Sequence, residues 1–171
     1  MEELVFRAIG PADVDRLAVL VADAFVGYRV FAPAGWRPPA ASEQSLVLER
    51  WIADPDFWGE LASREEALVG HATFISAARH SVRSASDPAI VHLGHLFVRP
   101  RYWGSGVAAQ LLARARTAAA ARGFVAMRLF VPFGQARAKR FYEREGFVAI
   151  GEPFDSGLGL PVLEYRRALE L

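Results

Sequence analysis

The stretch Trp103-Gly104-Ser105-Gly106-Val107-Ala108 lies between a β-type run ending at Pro100 and a long alanine-rich segment carrying Leu111 and Leu112. A helix that starts there leaves its first amides unpaired and positively polarised, which suits a phosphate. Glycines at 104 and 106 and the small Ala108 keep that backbone approachable. The same glycines would also serve a tight strand-to-helix turn that binds nothing. Further on, Gln135, Ala138 and Tyr142 stand at i, i+3 and i+7 and so share one face of a helix. His92 and His95 fall on one apolar run. Three positions apart, they face opposite sides of an ideal strand, and the same side if one bulge intervenes. An imidazole with a reference pKa of ~6.5 suits proton removal near neutrality, although strand histidines also serve as packing or hydrogen-bonding residues. His71 is a weaker candidate of the same kind. With no cysteine, disulfides, thiolate chemistry and cysteine zinc sites are excluded, and four histidines without clustered carboxylates predict no metal site.

These groups have to be held by regular elements. "LVFRAI" alternates as a strand, and Pro11 opens "PADVDRLAVLVADAF", whose apolar residues recur at helical spacing. "GYRVFAPAGWRPPAAS" is too broken by proline for a regular element and predicts a loop rich in aromatics. A second helix is expected in "SEQSLVLERWIAD", capped by Ser42 or Ser45. "FWGELASR", "ALVGHATFISAAR" and "AIVHLGHLFVRP" read as three antiparallel strands, the last two joined by a polar loop around "SVRSASDP". The alanine-rich helix then runs to about Arg122 and ends at Gly123. "FVAMRLFVP" is a strand buried on both faces, "GQARAKRFYERE" a helix stopped by Gly146, and "FVAIGEPF" and "LPVLEYRRAL" two closing strands. The order β α α β β β α β α β β implies a mixed α/β (α+β) sheet, and residues 1–171 are expected to form a single domain with one site.

Charge is unevenly spread. Residues 1–66 hold six arginines against twelve acids, and the remainder fourteen Lys or Arg against seven, for net values of −6 and +7. The basic part suits a polyanionic ligand and the acidic part a cationic one, if neither is simply a solvated face. No apolar run approaches the ~18 residues of a membrane span, and no basic-then-apolar leader opens the chain, so the expectation is a soluble, cytoplasmic protein. Nothing reads as a nucleic-acid recognition helix or an RNA-stacking motif.

Two of these stretches, with the element order, resemble the GNAT (Gcn5-related N-acetyltransferase) superfamily over nearly the whole chain. "LGHLFVRPRYWGSGVAAQLL" is similar to that family's fourth strand and pyrophosphate loop, and "GQARAKRFYEREGF" to its later N-x-x-A-x-x-F-Y-x-x-x-G-F signature. Two departures stand out: Trp103 replaces the customary Gln or Arg, and Gln135 replaces Asn. The resemblance implies a mostly antiparallel sheet of about seven strands with about four helices, splayed between the fourth and fifth strands. It implies acetyl-CoA as cosubstrate, its pyrophosphate on the amides of Trp103, Gly104, Ser105, Gly106, Val107 and Ala108. The pantetheine arm would pair with the main chain near Phe97 and Val98 and pass Gln135 and Ala138, with Arg101, Arg137, Lys139 and Arg140 near the other phosphates. Tyr142 would be the general acid toward sulfur, and an amide near Leu96 or Phe97, at an expected bulge, would stabilise the oxyanion. His92 or His95 would be the base. The activity implied is acetyl transfer to the amine of a small molecule or peptide by direct attack in a ternary complex, with a homodimer as an allowed assembly. A non-catalytic acyl-CoA sensor is the alternative. Phe25, Tyr28, Phe31, Trp36, Trp51, Phe57 and Trp58 would offer the acceptor an apolar or cation-binding wall.

Overall fold

The computed structural model describes residues 3–80, 82 and 87–170. Seven strands, β1 (Val5–Ala8), β2 (Trp58–Arg64), β3 (Ala67–Ser76), β4 (Ile90–Val98), β5 (Ala126–Pro132), β6 (Val148–Asp155) and β7 (Pro161–Ala168), form one sheet in the order β1-β2-β3-β4-β5-β7-β6. Helices α1 (Val14–Val26), α2 (Ala41–Ile52), α3 (Val107–Ala121) and α4 (Ala136–Arg144) complete it. Each neighbouring pair is antiparallel except β4 and β5, whose parallel pairing covers only Ile90 to His92 against Ala126 to Arg128. Beyond His92 the two strands part, so the expected splay is present and one edge of β4 is left unpaired by β5.

Core packing explains why the helices settle on opposite faces. Leu17, Ala18 and Leu20 of α1 and Leu48 of α2 bury against Leu61 and Leu68 on one face. Val107 and Leu111 of α3 bury against Ala62, Val69 and Ala72 on the other. A third cluster joins Leu112, Ala115 and Ala119 to Met127, Leu129, Phe147 and Tyr165, with Ala138, Phe141 and Tyr142 of α4 set against it. Gly123 and Gly146 end their helices at φ +86° and +83°, left-handed values that glycine adopts without a Cβ penalty.

Three local expectations shift. A 3₁₀ turn at Pro11–Asp13 precedes α1, and the Asp13 carboxylate accepts the Gly10 amide at 3.0 Å while bridging Arg7. Helix α2 begins at Ala41 rather than after Ser42 or Ser45, because Glu43 reaches back to the Ala40 amide at 2.7 Å and supplies the missing acceptor. Gly27–Val30 adds a 3₁₀ turn to the aromatic loop. Of the polar β3–β4 loop, residues 81 and 83–86 lie outside the described residues.

The charge asymmetry is partly spent on stitching the two parts of the chain together. Arg79 bridges Asp54 at 2.7 Å and also contacts Asp56, and Arg114 bridges Glu60. Arg122 donates to the carbonyls of Asp56 and Phe57, both at 3.1 Å. Among the described residues no helix is long and apolar enough to cross a membrane.

Candidate functional site

Where β4 ends, Pro100–Tyr102 forms a 3₁₀ turn, and the chain enters α3 through Gly106 as its N-cap. Gly104 and Gly106 hold φ +77° and +83°, and a Cβ on either would meet nothing within 4 Å. Their bareness therefore answers to backbone conformation and to open space in front of the turn, with no protein neighbour to avoid. No side chain caps Gly106, so the leading α3 amides of Val107, Ala108 and Ala109 have no partner within the helix. Trp103, Gly104, Ser105 and Gly106 are exposed. The turn has the geometry of an anion cradle.

Trp103 takes a structural part there. Its indole N–H donates to the Val98 carbonyl at 2.8 Å, and the Arg137 guanidinium of α4 lies 3.7 Å from the centre of its ring. The tryptophan thus links the turn to the first residues of α4. Arg101 and Lys139 lie over the rings of Tyr102 and Phe133 at 4.7 and 3.9 Å.

On the far side of the splay stands α4. Gln135 is its N-cap and makes no side-chain capping bond, while Ala138 and Tyr142 pack beside Leu96 of β4 against the same core cluster. Burial pushes the Tyr142 phenol well above its ordinary range, and Tyr28 adds to the effect. A phenol so placed keeps its proton through the neutral range.

The other face of β4 is built from histidine. Leu93 pairs with Phe74 and His95 with Thr73, so Gly94 is an extra residue in β4. This bulge falls two to three residues earlier than the expected position at Leu96 or Phe97. The extra position is a glycine because the Trp51 ring of α2 lies over it, where a Cβ would come within 2.3 Å. The extra residue brings His92 and His95 to the same face, opposite Ile75 and Thr73. Both are buried, at 4% and 5% exposure, and His71 beneath them is fully buried.

These rings form a connected set. His71 Nε2 lies 3.2 Å from His95 Nδ1, and Arg128 Nε donates to His92 Nδ1 at 3.3 Å. His80 stacks on His92 at 3.9 Å, and Trp51 packs on His95 at 4.8 Å. Desolvation holds the rings neutral: His71 is lowered to about 3 and His80 to about 4, and His92 and His95 fall well below their usual value. Among the described residues no group of acids and histidines could hold a metal ion.

The aromatic loop divides. Tyr28 packs on Phe25, Phe31 and Trp36, and Phe25 on Phe97. Phe31 covers Gly134 ahead of α4, and the Trp36 indole donates to the Leu158 carbonyl of the β6–β7 turn at 2.7 Å. The loop is thereby tied to the start of α4 and to the β6–β7 turn. Phe57 and Trp58, in contrast, pack into the core, Trp58 stacking on Phe74 at 5.2 Å. Sequence reading does not place His80, Arg128, Phe130 or Phe154 here. Their one signal is a lone arginine inside the apolar "FVAMRLFVP".

The family model described as the acetyltransferase (GNAT) family matches residues 20–147. An acetyltransferase from Thermus thermophilus superposes with a TM-score of 0.72 at 22% identity, covering 99% of this chain and 100% of that one. The PaiA N-acetyltransferase of Thermoplasma acidophilum, solved in complex with coenzyme A, gives 0.71 at 17% identity over 95% and 98%. YncA of Salmonella typhimurium, solved with its cofactor acetyl-CoA, gives 0.72 at 18% identity over 98% and 94%. At these identities the likeness speaks for a common fold. No curated protein matches the chain.

Proposed function

Because the chain belongs to the GNAT family of acetyltransferases, we propose that it is a single-domain N-acetyltransferase. It moves the acetyl group of acetyl-CoA to the amine of a small molecule or peptide by direct attack in a ternary complex. The observation that carries this reading is the pairing of an uncapped, unobstructed α3 N-terminus with a half-buried, protonated Tyr142 across the parted β4 and β5 strands. The complexes of two structural neighbours with coenzyme A and acetyl-CoA favour the same ligand.

In the proposed complex the pyrophosphate sits on amides of residues 103 to 108, and the pantetheine arm runs along the free edge of β4 at Phe97 and Val98, past Gln135 and Ala138. The amine nitrogen attacks the thioester carbonyl carbon from the histidine face. A main-chain amide of β4 stabilises the oxyanion, and the C–S bond breaks as Tyr142 gives its proton to sulfur. With no cysteine in the chain, a thiol acyl-enzyme does not arise.

Acetyl-CoA is expected to raise the melting temperature, and free CoA should appear when amines are added. Tyr142→Phe should keep the thermal shift while kcat falls by about 10²–10⁴. Undiminished turnover in that variant would remove the acid role, and a thermal shift without turnover of any amine would identify a sensor.

A further inference from the structure

The histidine face bears on the acceptor, and the inference rests on the acetyltransferase reading above. A neutral imidazole has one N–H and one lone pair. An arginine only donates, so Arg128 Nε occupies the lone pair of His92 Nδ1, and the His92 proton sits on Nε2. Among the described residues, His71 Nδ1 is buried without a partner. If His95 donated to His71, the His71 proton would be stranded on that nitrogen as an orphaned buried N–H, the rarest kind of unpaired group. His71 Nε2 therefore donates to His95 Nδ1 across 3.2 Å, and His95 also carries its proton on Nε2. Neither β4 histidine has a lone pair left to receive a proton.

The surroundings of the two rings agree with this. The titratable groups acting on His92 are His80, after β3, Arg128 of β5 and His95. His71 of β3 acts on His95. From α2 comes the Trp51 ring, from the α1–α2 segment Tyr28 through Phe25 and Phe97, and from β5 and β6 the rings of Phe130 and Phe154. Glu164 of β7, in register with Phe130, is buried and ion-paired with Arg166 at 2.9 Å. Arg128 is itself 2% exposed and is a fixed positive charge against this face. An ammonium arriving here would lose hydration among aromatic rings and meet a like charge, and both effects favour the neutral amine.

We infer that the acceptor binds and reacts as the free base of a weakly basic, ring-bearing amine, with neither β4 histidine acting as general base. The proton balance closes without either imidazole. Nitrogen bonds to the acetyl carbon as the C–S bond breaks, Tyr142 passes its proton to sulfur, and the surplus proton on nitrogen restores Tyr142. The products are the N-acetyl amine and CoA thiol. His71 and Arg128 act as positioning residues that hold the two β4 imidazoles in one tautomer.

The test uses the whole protein with phenethylamine, phenylalaninamide and aniline, which carry the same ring on progressively less basic nitrogens. Each unit by which an amine's pKa exceeds the pH removes about tenfold of its neutral form. At pH 7, kcat/KM for phenylalaninamide should exceed that for phenethylamine by at least about tenfold. The rising limb of each pH profile should follow the amine's own pKa, and His95→Gln should change the height of the profile while leaving the limb in place. A limb at one common pH for all three amines, lost in His95→Gln, would overturn the inference in favour of a histidine base. In the unsubstituted protein, ¹⁵N spectra of the histidine rings should show His92 and His95 as neutral Nε2–H tautomers from pH 6 to 8. An Nδ1–H tautomer, or titration within that range, would overturn it independently of catalysis. Thermal stabilisation by acetyl-CoA with no CoA release from any amine would instead defeat the acetyltransferase reading, and this inference with it.

Discussion

The two sides of β4 solve different problems with different materials. The turn from Trp103 to Gly106 is exposed main chain whose glycines, at φ +77° and +83°, face open space. The histidine face is buried side chain, contributed by β3, β4, the segment after β3 and, through Arg128, β5. A main-chain cradle tolerates sequence change and recognises a constant ligand. A buried ring cluster is sensitive to each neighbour, and so is the natural place for acceptor choice.

Acid should separate the two regions most strongly. Unfolded, the histidines protonate near pH 6.5. Folded, burial keeps His71 neutral down to about 3 and His80 to about 4. The unfolded chain therefore binds more protons in this window, and stability is lost as pH falls from about 6.5 towards 4. The cost is about 1.4 kcal/mol per pH unit for each such ring once well below 6.5. Urea midpoints measured across pH 7 to 4 should drop steadily, and a flat profile would show that the rings are not held neutral.

Gly106→Trp should block the cradle, with an added backbone strain from its φ of +83°. It should abolish acetyl-CoA stabilisation, a loss of about 2.7 kcal/mol at a hundredfold excess over Kd, and leave the pH dependence of unfolding unchanged. Differential scanning calorimetry with and without acetyl-CoA reads both. Gly94→Ala is the converse. Its Cβ would collide with the Trp51 ring, at a cost of about 1–3 kcal/mol, and the amine KM should rise while acetyl-CoA still binds. Loss of acetyl-CoA binding in Gly94→Ala would mean that the two regions are not separable. Trp103→Ala should be mildest. One hydrogen bond and one cation–π contact at an exposed position are worth about 1 kcal/mol each, so titration calorimetry should find acetyl-CoA affinity changed by less than roughly a hundredfold.

Much of the fold was legible because its signals are local. Period-two and period-3.6 patterns, Gly123, Gly146 and the glycine turn each act within a few residues, and the seven strands and four helices follow them. The cap of α2 was misplaced because a glutamate reaching back to an amide can replace a serine. Of the proposed site, Tyr142 and the glycine turn stand out in the sequence itself. His80, Arg128 and the engagement of His71 with His95 do not, since they depend on which strands are neighbours and on how far β4 stays paired with β5.

By itself the sequence determined the element order, the bare backbone at 104 and 106, and the shared helix face of Ala138 and Tyr142, because dihedral preference and helical spacing are properties of short segments. Only the tertiary structure decided that one extra residue at Gly94 turns His92 and His95 to one side, and that Arg128 and His71 then lie against their Nδ1 atoms. Those outcomes belong to strand register and to burial, which arise when residues far apart in the chain exclude water from one another.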